Sequence, residues 1–424
     1  MSISVTFNST HHVLLSSEFF LARRPIVDRT LQPVAHELLF CAPQQASEAD
    51  ADAKPAGASV IFDVCEYGLT RVLGDLHGLL YLDASALMSN IFDFLPADRV
   101  VFELPPLQDA ASRERLAQLA RAGFRFALVA TRDDETARAM LPLVMGVRLD
   151  IRGRTGDELE PVCNAFRSAG KRLLAEGVDT PALMRECLDL GFDFFQGYHF
   201  ALPQIDPTRG LAATELAIME VMALIASDAD SAEIEHRMKS DVTLGLKLLR
   251  MANAPAFGHR RIDSLRQALM VIGRDQLQRW LQLMLYADAA EDGRPVLPLL
   301  ALAAARGRLM ELAAQKLRPG NRGIADSAFT VGIMSLMDTL FSMPMDEILR
   351  QMPVGDEVVA ALRAREGYLG KLLVLAESTE WAAPSAATLR LLLADLKLSF
   401  DVLYGLQLAA WEWSDQVVQH ARSR

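Results

Sequence analysis

The chain has 424 residues, 51% hydrophobic and 23% charged, a length that suggests two or three domains. Its formal net charge of −11 argues against broad phosphate-backbone binding, so nucleic acid is not an expected partner. The four cysteines (Cys41, Cys65, Cys163, Cys187) show no CxxC spacing and read as free thiols in a reducing cytoplasm, with neither a disulfide framework nor a zinc site. The N-terminus lacks the basic start and apolar core of a signal peptide, and no apolar run reaches the roughly 18 residues of a membrane span. A cytoplasmic protein without a membrane partner is expected.

Residues 1–18 are a polar tail, in which the neighbouring His11 and His12 are taken as solvated. From 19 to 205, short β-type runs alternate with helical patterns. The runs are FFLARRPIVD, AHELLFC, LLYLDAS, VVFEL, RFALVA, GVRLDI, KRLLAEGV and FDFFQGYHF. Amphipathic helices such as ASRERLAQLARAG (111–123) and TPALMRECLDLG (180–191) lie between them. This alternation implies a parallel sheet with covering helices, open or closed into a barrel. In a barrel, polar residues at the C-terminal strand ends gather at one mouth. Glu37, Asp83, Glu103, Asp150, Glu176 and Gln196 each fall at or near such an end. Glu37 sits inside the apolar run VAHELLF, where burial is costly unless a metal, a cation or several N–H donors compensate it.

After residue 205 the strand signals stop, and residues 206–424 read as one helical domain. TELAIMEVMALIAS, SAEIEHRMKSDVTLGLKLLRMAN and IDSLRQALMVIGRDQLQRWLQLML space apolar residues at three and four. Asp263-Ser264 precedes one helix as a cap, and Gly273 marks the break that follows. NAPAFGHRR (253–261) is a turn, and EDGRPVLP (291–298) and KLRPGNRG (316–323) divide the remainder. The broad Leu/Trp faces of the last helices read as core, with a homodimer contact as the second reading.

Several segments, in order, carry a resemblance: RPIVDRTLQPVAHELLF, LYLDAS, VVFEL, VRLDI, AEGVDT and FFQGYHFALP. The first half resembles a shortened EAL domain, the cyclic di-GMP phosphodiesterase fold. In the second half, KSDVTLGLKLLRMANAPAFG, SLRQALMVIGRDQLQRWL and AFTVGIMSLMDTLFSMPMDEIL (328–349) are similar to an HDOD domain, the helical regulatory relative of HD phosphohydrolases. The resemblance implies an α/β modified TIM-like barrel followed by an all-α HDOD domain. In active EAL members, two divalent cations at the strand ends activate a water; such ions need several oxygen ligands to offset their charge.

Set against the family pattern, Glu37 (in ELL rather than EAL), Glu103, Asp150, Glu176 and Gln196 are kept. Asp83 stands where the family has an asparagine ligand. The second glutamate of the ExTE element is absent from Glu103-Leu104-Pro105-Pro106. Val129-Ala130-Thr131-Arg132 stands where paired aspartates belong, and Asp133-Asp134, further on, reads as a helix cap. Arg148 replaces the lysine of KxD and is not its equivalent, being larger and always charged. Arg24 replaces a glutamine before Pro-Ile, and Cys41 the arginine after the signature. Glu37 is therefore expected in an ion-pair network with Arg148 and Arg24 rather than on a metal. In the helical half, His236, His259 and His420 precede Arg237, Arg260 and Ala421, so no HD dipeptide exists there.

These losses point to a non-catalytic signalling adaptor with no metal cofactor. Glu37, Asp83, Glu103, Asp150 and Glu176 are then vestigial metal positions, and the HDOD half binds a regulatory protein. A cyclic di-GMP sensor without hydrolysis is the alternative, with Arg24, Arg148, Gln196, Phe200 and Pro203 as nucleotide-facing candidates. A divergent phosphodiesterase using Mg or Mn ranks behind it.

Overall fold

The structure, a computed structural model, describes residues 20–41, 68–90, 92, 96–198, 200–203, 205, 211–253, 262, 264–291, 296–352, 354–380 and 386–422. The polar tail, Cys65 and the His259-Arg260-Arg261 turn lie outside the described residues. The chain divides into two compact units, Met1–Phe200 with Leu375–Gln416, and Ala201–Val374 with Val417–Arg424.

The first unit is built on a closed eight-stranded barrel in sequence order. Its strands are β1 (Phe20–Asp28), β2 (Pro33–Cys41), β3 (His77–Tyr81), β4 (Val100–Leu104), β5 (Arg125–Ala130), β6 (Gly146–Asp150), β7 (Arg172–Glu176) and β8 (Phe194–Gln196). Helices α1 (Leu69–Leu73), α2 (Ala84–Leu87), α3 (Ala110–Arg121), α4 (Glu135–Met140), α5 (Gly156–Ser168) and α6 (Pro181–Asp189) lie between them. Side-chain acceptors start these helices: Asp109 caps α3, Asp134 caps α4, Thr155 and Glu158 form a capping box on α5, and Thr180 caps α6.

The parallel sheet implied by strand–helix alternation is interrupted at β1, which runs antiparallel to both β2 and β8. The remaining neighbours are parallel. A parallel return needs a crossover of a dozen or more residues, whereas β1 and β2 are joined by a short turn. Asp28 holds that turn by accepting hydrogen bonds from the backbone of Thr30 (2.8 Å) and Gln32 (3.0 Å).

Register partners share a face of the sheet, so the pairings define the barrel's interior. Ile26, Ala35, Leu79 and Leu174 form an apolar cluster with Val34, Val101 and Phe194 packed against it. Glu37, Glu103, Arg148 and Gln196 are also buried. Glu37, Glu103 and Gln196 each lie further toward the strand's C-terminal end than Ala35, Val101 and Phe194 on the same strands.

The hairpin supplies no crossover helix for the outer face of β1, and residues 375–416 belong to the same unit. Arg23 points outward there, pairs with Asp415 through two bonds of 2.9 Å, and lies 5.1 Å from the centre of the Trp411 ring. Arg71 pairs with Glu412, and the Tyr198 hydroxyl donates to the Glu380 carbonyl. Residues 375–416 are grouped with the barrel, where Asp415, Trp411 and Glu412 meet Arg23 and Arg71.

The second unit is helical. It holds α7 (Ala213–Ala226), α8 (Ser231–Lys239), α9 (Val242–Ala252), α10 (Leu265–Ile272), α11 (Arg274–Glu291), α12 (Val296–Leu317), α13 (Arg322–Met334), α14 (Met337–Phe341), α15 (Met345–Gln351) and α16 (Asp356–Ala364). The run 231–253 breaks into α8 and α9 because Asp241 caps a new helix through the Leu244 N–H at 3.0 Å. Ser264 caps α10, and Gly273 ends it at a φ of 75°. Helices α12 and α13 meet backbone to backbone, since a Cβ on Gly332 would lie 2.5 Å from the Gly307 Cα.

Residues Arg322–Phe341 are long and apolar enough to cross a membrane by length and composition, which the sequence reading did not register, and 67% of the apolar window is buried within the structure.

Candidate functional site

The charged group inside the barrel is organised by Arg148 on β6. Its register partners are Val129 on β5 and Leu174 on β7, which turns its side chain to the interior. Its Nη1 lies 2.7 Å from Glu37 Oε1 and 2.6 Å from Glu103 Oε2, and its Nε lies 2.7 Å from Glu176 Oε2. Arg148 and Glu103 are both 0% exposed, and Glu37 is 3% exposed. Burial alone would lower the Arg148 pKa, but the charges of Glu103, Glu37 and Glu176 outweigh it and hold the pKa well above its ordinary value. One guanidinium therefore answers three carboxylates brought in by three different strands.

Arg24 adds a second cation, its Nη1 3.7 Å from Glu37 Oε2. Glu37 thus lies in an ion-pair network with both arginines. The outer edge carries a further pair: Arg152 donates to Asp150 at 2.9 Å from Nε and at 2.7 Å from Nη2, and reaches Glu176 Oε1 at 3.7 Å. Burial pushes the Asp150 carboxyl up, and the Arg152 hydrogen bonds and charge bring it below the usual range. Tyr81, the register partner of Glu103, has its hydroxyl pKa raised by burial and then by Asp83 and Glu103.

The other candidates are placed differently. Asp83 is the N-cap of α2, accepting from the Ala86 N–H and the Ser85 hydroxyl at 2.7 Å each. Burial raises its pKa less than those hydrogen bonds lower it. Gln196 is buried on β8 beside Glu176, and its carbonyl accepts from the N–H groups of Gly177 and Val178. The next residue must be glycine: a Cβ on Gly197 would stand 2.1 Å from the Val178 carbonyl oxygen. Phe200 is 6% exposed and stacks on Tyr198 with ring centroids 6.2 Å apart. Pro203 is exposed and belongs to the second unit.

Val129 and Ala130 end β5 without a side-chain oxygen. Asp134 accepts from the Ala137 N–H at 2.9 Å as the cap of α4, and Asp133 pairs with Arg138. Among the described residues, no group of three or more His, Cys, Asp or Glu side chains is arranged to hold a metal ion. In the second unit His236 is exposed in the last turn of α8.

Two features escaped the sequence reading. Arg152 sits two residues after Asp150, a spacing that lets one side chain fold back on the other, but nothing in RLDIRGR distinguishes that clamp from a solvated arginine. The central position of Arg148 depends on β4, β6 and β7 being adjacent or nearly so with fixed register, which no local motif encodes.

The HDOD domain family matches residues 211–345 of this chain. A cyclic di-GMP phosphodiesterase of Vibrio cholerae, CdgJ, is 27% identical over 377 residues, covering 86% of this chain and 85% of the relative. The chain is a tandem of a closed eight-stranded barrel and an HDOD domain. The tandem is also similar to YuxH of Bacillus subtilis, an uncharacterized protein, at 24% identity over 413 residues, 93% of this chain and 97% of the relative. Among solved structures it is similar to an EAL domain protein of Listeria monocytogenes, at 16% identity and a TM-score of 0.34, over 46% of this chain and 94% of that one. In the tandem the barrel precedes the HDOD helices, and the three glutamates and Arg148 all belong to the barrel.

Proposed function

We propose that this tandem is a non-catalytic adaptor in cyclic di-GMP signalling, its barrel a degenerate EAL domain and its HDOD domain the surface for a regulatory protein. The arrangement of Arg148 carries the reading. Glu37, Glu103 and Glu176 are the vestigial metal positions that converge, and all three are engaged by one guanidinium within 2.7 Å. A divalent cation at the same point would have to share a buried space with that fixed positive charge. At the short separations involved the repulsion is large in a low-dielectric interior.

The remaining donors do not make up the loss. Asp83 is committed to the α2 cap and Asp150 to Arg152. β5 ends in Val129 and Ala130, where the resemblance calls for two aspartates. Two dications need several anionic oxygens to complete their shells, so the residues present do not fit a binuclear centre. Structural use of the carboxylates fits instead: they are compensated by arginine and help hold the barrel closed.

The test is a turnover assay with cyclic di-GMP and Mg²⁺ or Mn²⁺. No release of linear product above a protein-free control is expected. Metal-dependent hydrolysis that disappears in Glu37→Ala overturns the reading. The Vibrio relative's name favours a second reading, a divergent phosphodiesterase, and the same assay separates the two. Binding without cleavage is the third. Arg24 and Gln196 are the candidates retained for it at the barrel mouth, whereas Phe200 is already stacked on Tyr198. Calorimetry with the nucleotide in the absence of metal decides that point.

A further inference from the structure

The barrel interior contains a second feature, at the end opposite the carboxylates. A cavity of about 310 Å³ opens among the N-terminal ends of the parallel strands. That volume sits at the lower edge of the roughly 300–1,000 Å³ typical of small-molecule pockets. Barrels of this kind usually fill their interior with bulky branched side chains in layers. Here the interior row places Ala35 on β2, Ala127 on β5 and Gly146 on β6, which leave the layer underfilled. Gly146 has its own reason, because a Cβ there would lie 2.9 Å from the Arg172 carbonyl oxygen.

The rim is basic. His77, Arg125 and Arg172 are the first residues of β3, β5 and β7, each paired in register with an interior residue: Ala35, Val101 and Gly146. All three are exposed, and all three line the cavity. Arg172 lies 5.9 Å from the centre of the Phe194 ring, and neither Arg125 nor Arg172 forms an ion pair with a described residue. Among the described residues, no carboxylate lines the cavity. Arg148 forms part of its floor, with its charge already answered by the three glutamates.

An apolar chamber with cations at its mouth and no anion in its wall is complementary to one ligand shape. We infer that this end of the barrel binds a small monoanionic amphiphile, a medium-chain carboxylate. Its tail lies against Leu79, Val101, Ala127 and Leu174, and its head is held by Arg125 and Arg172. The site adjoins the carboxylate cluster through Arg148 without using its glutamates, and its existence does not depend on whether the chain hydrolyses a cyclic dinucleotide.

The test is isothermal titration calorimetry of the full chain with decanoate below its micellar concentration, alongside decanol and decyltrimethylammonium. One saturable decanoate site is expected, tighter than decanol by roughly tenfold, about the effect of one good charge-assisted contact, with no binding of the cation. The paired variant Arg125→Gln and Arg172→Gln, at exposed positions, should erase the preference for decanoate over decanol. Ala127→Phe should abolish binding of both by filling the chamber, with circular dichroism showing that the variant is folded. Absence of a saturable site, equal affinity for decanoate and decanol, or decanoate binding unchanged in the paired arginine variant would each overturn the proposal.

Discussion

Arg148 is the residue on which the interior turns, because it is the positive charge that makes three buried glutamates tolerable. Removing one partner from a buried charge network leaves the others uncompensated, which typically costs about 3–5 kcal/mol. Arg148→Ala is expected to destabilise the barrel by that order in urea unfolding, and a loss below about 1 kcal/mol would contradict its assigned place. The same variant frees Glu37, Glu103 and Glu176, so Mn²⁺ should raise its melting temperature more than that of the parent chain. The thiols offer an independent check on burial. Burial pushes Cys163 up to about 11, and burial followed by the charge of Glu186 pushes Cys187 up to about 12. Thiolate is the reactive form, so at pH 8 both should resist iodoacetamide until the chain is unfolded, as read by peptide mass spectrometry.

Elements were legible in the sequence to different degrees, and the differences have physical causes. The strands could be found because each is a short apolar run bounded by turn residues, and the caps at Asp134 and Ser264 because each precedes a helical run. The direction of β1 was missed, since strand direction is set by the length of a connection rather than by strand composition. The division of 231–253 into two helices was also missed, because apolar spacing continues across Asp241 while its side chain restarts the hydrogen-bond ladder. At the site, the identity of the retained carboxylates was legible one position at a time. Their convergence on Arg148 was not, because it is a property of register between strands.

Gly332→Ala puts a Cβ against the Gly307 backbone and should cost about 1–3 kcal/mol, the usual penalty of overpacking, measured by denaturant unfolding. The acidic groups that cap or clamp elements give a pH signature. Asp83, Asp134 and Asp150 have folded pKa values below their ordinary ones, so the unfolded chain binds more protons as the solution is acidified. Their contribution is whole above the unfolded carboxylate pKa of about 4 and is lost as pH falls through the lower folded values. The melting temperature should therefore drop below about pH 4, with a shallower slope in Asp150→Asn.

The whole chain combines a closed eight-stranded barrel with HDOD helices. The barrel closes in full, its carboxylates are held by arginine, and the helices carry no HD dipeptide. On the proposed function, a guanidinium stands where divalent cations would otherwise bind. The most direct measurement is anomalous diffraction at the manganese edge from crystals grown with Mn²⁺ and cyclic di-GMP. The account predicts no manganese peak among Glu37, Glu103 and Glu176, with the Arg148 guanidinium in hydrogen-bond contact with all three. Manganese peaks at those carboxylates, with Arg148 displaced from them, would contradict it.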